Sequence, residues 1–221
     1  MSETVATLAL SGAELLTTTR AVRRRLDYDR PVSRELLRAC VAMALQAPSG
    51  SQKFPIQFVI VTDAQRRAAL GDAYRAAYAK YKASAGYIGN VVREDPEANA
   101  QQQRTARSAD HLAENIHRAP ALVLACGLGR VDDQPIHKHT NLLASVHPAA
   151  WSFMLAARLH GLGTCWTGVS LAEEAETAAI VGIPIDRVTI GALTPVAYTL
   201  GTDFRPARRP APEDVIHWDA W

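Results

Sequence analysis

The 221 residues carry 48% hydrophobic and 21% charged side chains, with a formal net charge of only +2. That composition supports a sizeable core and argues against disorder and against bulk attraction to nucleic acid. No apolar run approaches the roughly 20 residues of a membrane span. The opening "MSETVATLALSGAELL" lacks the basic start, apolar core and cleavage site of a secretory leader. Cys40, Cys126 and Cys165 are odd in number and far apart, which gives neither a disulfide framework nor a zinc spacing. A reducing, cytoplasmic setting fits best.

The chain shows no internal repeat or low-complexity block and reads as a single domain, 1–221. "SRELLRACVAMALQAP" places Leu36, Leu37, Cys40, Val41, Ala44 and Leu45 on one helical face, with Ser33 as cap and Pro48 as stop. "PIQFVIVTD" reads as a buried strand, and Asp63 caps a helix over "AQRRAALGDAYRAAYAKYKA". A polar stretch from Ser84 to Arg118 reads as a loop followed by a helix. The wider excursion, about 74–118, has the character of a lid.

"APALVLACGLG" is a second buried strand, leading into the loop "VDDQPIHKH". "PAAWSFMLAARLHGLG" is an apolar helix ended by glycine. "SLAEEAETAAIVGIP" has Ser170 and Glu173 at capping-box spacing and Gly182 and Pro184 as stop signals. "VTIGALTPVAYTLG" is a third strand region, where Pro195 suggests a bulge or a break. The extension at about 202–221, "FRPARRPAPEDVIHWDAW", ends in aromatics that disordered tails rarely carry, so it docks on something. Strands and helices in this order suggest a sheet covered by helices.

Five arginines fall between Arg20 and Arg30, and Arg205, Arg208 and Arg209 recur near the end. The planar guanidinium fork suits phosphate, and two clusters could meet at one. On these residues alone, two solvated surfaces are the better account. In "APSGSQKFP", small residues let backbone amides and the Ser49 and Ser51 hydroxyls approach a ligand, or simply form a turn. "GLGTCWTG" is not the dinucleotide fingerprint, because its third glycine is misplaced and no strand precedes it. "CGLGR" follows a strand but leads into no helix, so a Rossmann unit is not expected. His137, His139 and His147 lack acidic or cysteine partners at a metal spacing and read as polar loop histidines; no metal site is expected. Cys165 has no identifiable base, and no nucleophile elbow is present. A bound cofactor that brings its own chemistry explains this lack of catalytic side chains.

These pieces, in this order, resemble the FMN-dependent nitroreductase family over nearly the whole chain, from about Leu16 to Trp221. They are "TTRAVRRRL…RPVS", "APSGSQ" before a strand, the "SF-x-L-A-A-R" helix running into "GLGTCW", and the closing "PVAYTLGTDFRPARRPAPEDVIHWDAW". The "AAWSF", "GLGTCW" and "HWDAW" segments look like the branch labelled NAD(P)H nitroreductases or oxidoreductases. The resemblance implies an α+β fold in which a central, mostly antiparallel sheet is wrapped by helices. It also implies an intertwined homodimer whose C-terminal extension embraces the partner, with FMN at the interface. Arg20, Arg23 and Arg24 would wait for the FMN phosphate, with Arg208 or Arg209 closing on it. Pro48, Ser49, Gly50, Ser51 and Gln52 would reach the ribityl chain and ring from the neighbouring subunit. Trp166, Thr167 and Gly168 would line the ring, a backbone amide there stabilising negative charge on it.

Two departures stand out. Ala21 replaces a serine often found between the opening arginines, removing a hydroxyl contact. Phe54 stands where a glutamine is frequent and cannot replace its hydrogen bonds, which implies a more apolar pocket, or a positive group at Lys53 near the substrate. Tyr78 and Tyr81, with Tyr87, are candidate pocket aromatics; helix packing is an equal account of them. The implied reaction is a ping-pong cycle from NADH or NADPH through FMN to a small-molecule oxidant: a nitroaromatic, quinone or conjugated carbonyl compound. The alternatives are reductive dehalogenation, flavin fragmentation or azoline oxidation on the same fold, or a flavin-binding protein without turnover. Neither nucleic acid nor membrane is an expected partner.

Overall fold

The computed structural model describes residues 6–221; the first five residues of the opening read above for a leader lie outside it. Among the described residues, six α-helices surround an open sheet. The helices are α1 (Gly12–Thr18), α2 (Arg34–Ala44), α3 (Ala64–Ala83), α4 (Pro96–Asn115), α5 (Ile136–Leu159) and α6 (Glu174–Val181). The strands are β1 (Leu26–Asp27), β2 (Ile56–Val61), β3 (Ala121–Leu128), β4 (Leu162–Thr164) and β5 (Val188–Thr199). Their order is β1-β5-β3-β2, with β4 also paired to β5, and every ladder is antiparallel. The expected α+β architecture is therefore present.

The period of two along β3 builds the layers. Leu122, Leu124 and Cys126 face Leu70, Tyr74, Leu112 and Ile116 from α3, α4 and the turn after it. Ala121 and Val123 face Leu36, Leu37, Cys40 and Phe153 from α2 and α5, and Ala125 faces Val146 and Ala149 of α5. The second face is built from small residues because α5 lies close. A Cβ on Gly191 would come within 2.7 Å of Val146 Cγ1.

Caps fix the ends of the helices as the sequence suggests. Ser33 Oγ accepts from the Leu36 amide at 3.1 Å, and Asp63 Oδ1 accepts from the Arg66 amide at 2.9 Å. Gly182 closes α6 with φ of 73°.

Four expectations are corrected. β2 is the sheet edge, with Ile60 exposed, rather than a buried strand. Its sequence is apolar on both faces, which does not distinguish an edge from a centre. α5 begins at Ile136, so "VDDQPIHKH" leads into a helix and His137 and His139 sit on its first turn. Pro148 lies inside that helix and removes one backbone donor. The packing of buried Ser145, Val146 and Ala149 on the sheet keeps the helix continuous across it.

Ser170 caps nothing. It lies in a tight 3-10 turn, Val169–Glu173, and among the described residues its buried Oγ has no partner. Finally, Pro195 neither bulges nor breaks β5. The register shift falls at Gly191 instead, where Ala125 pairs Ala192 and Cys126 pairs Ile190. The Leu193 amide donates to Thr167 O, so by alternation position 195 faces the same side. Pro195 there falls in the gap between Thr164, which pairs Val196, and Thr167, where no donor is required.

Candidate functional site

The site begins at a short parallel bridge. Ala21 pairs with Thr164, and the Val22 amide donates to Thr164 O at 2.8 Å. This lays Arg20–Val22 along the end of β4. The start of the C-terminal extension is then clamped next to it. Arg25 donates to Leu200 O at 2.8 Å, pairs with Asp203 at 2.6 Å and sits 4.5 Å from the Phe204 ring centroid. Buried Arg158 donates to Thr202 O at 2.9 Å and covers the same ring at 4.8 Å. Two cations on one phenylalanine turn the chain so that Pro206–Arg209 reach Arg20.

The result is a cavity of about 500 Å³ walled by three distant segments. Arg20 comes from the first, Arg93, Glu97, Gln101, Arg104 and Thr105 from the excursion, and Pro206–Arg209 from the extension. Arg208 donates to Asp95 Oδ2 at 3.0 Å and lies 3.7 Å from Glu97 Oε2. Among the described residues, no carboxylate stands within 4 Å of Arg20, Arg93, Arg104 or Arg209. Burial, and then the neighbouring charge of Arg209, lower the pKa of Arg20 from its ordinary value. Arginines that share a cavity and have no carboxylate partner fit a phosphate monoester, whose oxygens match their forks.

The other arginines of the opening go elsewhere. Arg23 lies beside Cys165 and Tyr74, where its charge bears on both. Arg24 is exposed, and neither of the two lines the cavity. Ala21 forms the bridge and is exposed. Arg93 and Arg104 were not singled out in the sequence; the only signal for them was the polar run "NAQQQRTARSAD" and its neighbourhood.

A second group gathers near the N-terminal half of α5. Trp166 stands edge-on to His147 with ring centroids 5.0 Å apart, and burial lowers the pKa of His147. The Gly50 amide donates to Ser145 Oγ at 3.2 Å, and Ser49 Oγ accepts from the Phe54 amide at 3.0 Å. Ser51, Gln52 and Phe54 hold φ of 53°, 53° and 45°, values unusual for side-chain-bearing residues, with Lys53 between them at −78°. Pro48, Ser51, Gln52, Lys53 and Phe54 are exposed. Thr167 is buried, and both its amide and its Oγ1 donate to Leu193 O, whereas Gly168 is exposed. Within one chain, none of residues 48–54 lines the arginine cavity.

Tyr78 and Tyr81 lie between α3 and the excursion. The Tyr78 and Tyr87 hydroxyls donate to Asp110 Oδ1 at 3.0 and 2.9 Å. Tyr81 Oη accepts from the Ile88 amide at 2.8 Å. Burial, and then Asp110, push the Tyr78 phenol well above its ordinary pKa, so it serves as a neutral donor. Neither Tyr78 nor Tyr81 lines the arginine cavity.

The α+β core thus carries an arginine-walled cavity whose side chains suit a phosphate. The chain belongs to the nitroreductase family, whose family model matches residues 16–198. Solved structures share its fold. A mutant of the FMN and NADPH-dependent nitroreductase NfnB from sphigopyxis sp. strain HMH superposes with a TM-score of 0.68 at 22% identity, covering 96% of this chain and 100% of that one. An iodotyrosine deiodinase bound to FMN and 3-iodo-L-tyrosine gives 0.68 at 19% identity, covering 95% and 99%. A BluB-like flavoprotein from Clostridium difficile 630 gives 0.67 at 18% identity, covering 95% and 99%.

Proposed function

We propose that this protein is an FMN-dependent oxidoreductase of the cytoplasm. It carries a hydride from NADH or NADPH to a nitroaromatic, quinone or conjugated carbonyl compound in a ping-pong cycle. The observation that carries this reading is the cavity walled by Arg20 and Arg209, neither of which has a carboxylate within 4 Å among the described residues, on an opening segment that Ala21 bridges to Thr164. When bound, FMN supplies the two-electron chemistry.

The chain's residues bind, orient and exclude water. Arg20 and Arg209 hold the phosphate. Trp166, braced by His147, walls the ring site. The amide of Thr167 is already held by Leu193 O, so a backbone donor to the ring comes from Gly168. The exposed loop 48–52, with its left-handed Ser51 and Gln52, is shaped to meet a second subunit's flavin. Val215, Ile216, Trp218 and Trp221 of the extension are exposed apolar side chains, as a strap over a partner requires. On this reading the protein is a homodimer.

The test is the visible spectrum of the purified protein before and after anaerobic NADH or NADPH. Bound flavin that bleaches with either donor supports the proposal. A colourless protein that takes up no added FMN overturns it. Arg20→Ala removes a charge-assisted contact and should weaken FMN binding by roughly ten- to a hundredfold. Parallel lines in double-reciprocal plots are the expected ping-pong pattern. A halogenated phenol belongs in the oxidant panel, because an iodotyrosine deiodinase shares the fold.

A further inference from the structure

We infer that Arg93 and Arg104, on the excursion, are phosphate ligands, and that the excursion is therefore a clasp on the cofactor; this rests on the cofactor reading above. Arg93 and Arg104 wall the same cavity as Arg20 and Arg209. Glu97, the acid in the cavity wall, and Asp95 beside it both lie against Arg208. Arg208 is thus taken up by these acids and acts as a strap between extension and excursion. Four guanidinium groups remain, and a phosphate monoester of charge near −2 is the anion that gathers them.

The excursion is built to hold its two arginines in place. The Arg93 amide donates to Asn99 Oδ1 at 3.1 Å, pinning the chain before α4 against its first turn. Arg104 Nη2 donates to Gln101 Oε1 at 2.9 Å, which orients the guanidinium. Gln102 and Gln103 donate to the carbonyls of Ile88 and Gly89 at 3.0 and 3.2 Å, tying the preceding turn to the same helix. Asp95 caps α4 through Oδ1 while Oδ2 takes Arg208. A phosphate between Arg20, Arg93, Arg104 and Arg209 would join three segments that the sequence separates.

The experiment titrates FMN and riboflavin, which lacks the phosphate, into wild type, Arg93→Gln, Arg104→Gln and the double variant. Arg107→Gln, an exposed charge on the same helix outside the cavity, is the control. The expected result is a loss of FMN affinity of roughly ten- to a hundredfold with riboflavin affinity unchanged, and no effect in Arg107→Gln. Unchanged FMN binding in the double variant would overturn the inference. So would an equal loss for both flavins, which marks a structural role. A changed NADPH-to-NADH ratio of kcat/KM with FMN retained would move the two arginines to the donor's phosphate and also overturn it. Should wild type bind neither flavin, the cofactor reading fails separately. Pyrophosphate binding weakened by Arg93→Gln and Arg104→Gln would then still support the anion site, and its absence would overturn it.

Discussion

Gly163→Ala tests whether the contact between the opening segment and β4 supports the arginine cavity. A Cβ at position 163 would lie 2.6 Å from Thr199 Cγ2 and 3.0 Å from Val22 Cβ and Cγ1. Thr199 has little freedom to turn away, because its Oγ1 donates to Gly161 O at 3.2 Å. Val22 is buried and tied by its amide to Thr164. Overpacking of this kind costs about 1–3 kcal/mol, and losing the Thr199 hydroxyl contact adds about 1 kcal/mol. The sum of about 2–4 kcal/mol, divided by a urea slope of about 2–3 kcal/mol/M, predicts a midpoint lowered by roughly 1 M. Displacing Val22 also moves Arg20, two residues away, so FMN affinity should fall with stability. Far-UV circular dichroism in urea gives the first quantity and flavin titration the second. Gly12→Ala is the control: nothing stands within 4 Å of its Cβ, and alanine favours the helix. A Gly163→Ala midpoint within about 0.2 M of wild type, inside the error of such fits, would refute the argument.

Asp110→Asn should cost about 1–2 kcal/mol at pH 7 by weakening a charged acceptor shared by Tyr78, Tyr87 and Lys82. Burial alone raises the pKa of Asp110, but hydrogen bonds from Lys82, Tyr87 and Tyr78 outweigh it and hold the value below the ordinary 3.8. The stabilisation is therefore full above the unfolded carboxylate value and is lost as pH falls through the folded one. The difference between wild type and Asp110→Asn should narrow below about pH 4, and a constant gap would contradict the assignment. Burial pushes Cys40 and Cys126 up to about 12, and raises Cys165 as well. At pH 8 a thiol with that pKa is roughly one part in ten thousand thiolate. A chromogenic disulfide should find no rapidly reacting thiol in the folded protein and all three in urea.

Much of the fold was legible because local chemistry and tertiary packing agree there. Ser33 and Asp63 cap the helices they precede, and the apolar run of β3 is buried on both faces. The misreadings share a cause, since a residue's local preference is overridden by what lies across from it. Pro195 is harmless because the neighbouring strand leaves a gap at its position, and no single sequence reveals that gap. Pro148 sits inside α5 because the sheet supplies more packing than one backbone hydrogen bond removes. Ser170 and Glu173 have the spacing of a capping box, but Glu174 instead turns to Arg130 and the Ile190 amide, and the helix starts beyond them.

The site was legible in a narrower way. Arginines at the two ends of the chain could be suspected of meeting, yet their number said nothing about which would do so. The structure sorts them by what else each can reach. Arg25 is taken by Leu200 O and Asp203, Arg208 by Asp95, and Arg23 turns toward Cys165 and Tyr74. Arg20 and Arg209 are left in the wall of the cavity. Arg104 was hidden in the polar run of α4 and Arg93 in the loop before it, because solvated and anion-binding segments use the same residues; only the surface they face distinguishes them. Charge that remains without a carboxylate after every local pair is formed identifies an anion site better than arginine density does. By that criterion the cavity, rather than the arginine-rich opening taken alone, is the phosphate site to test.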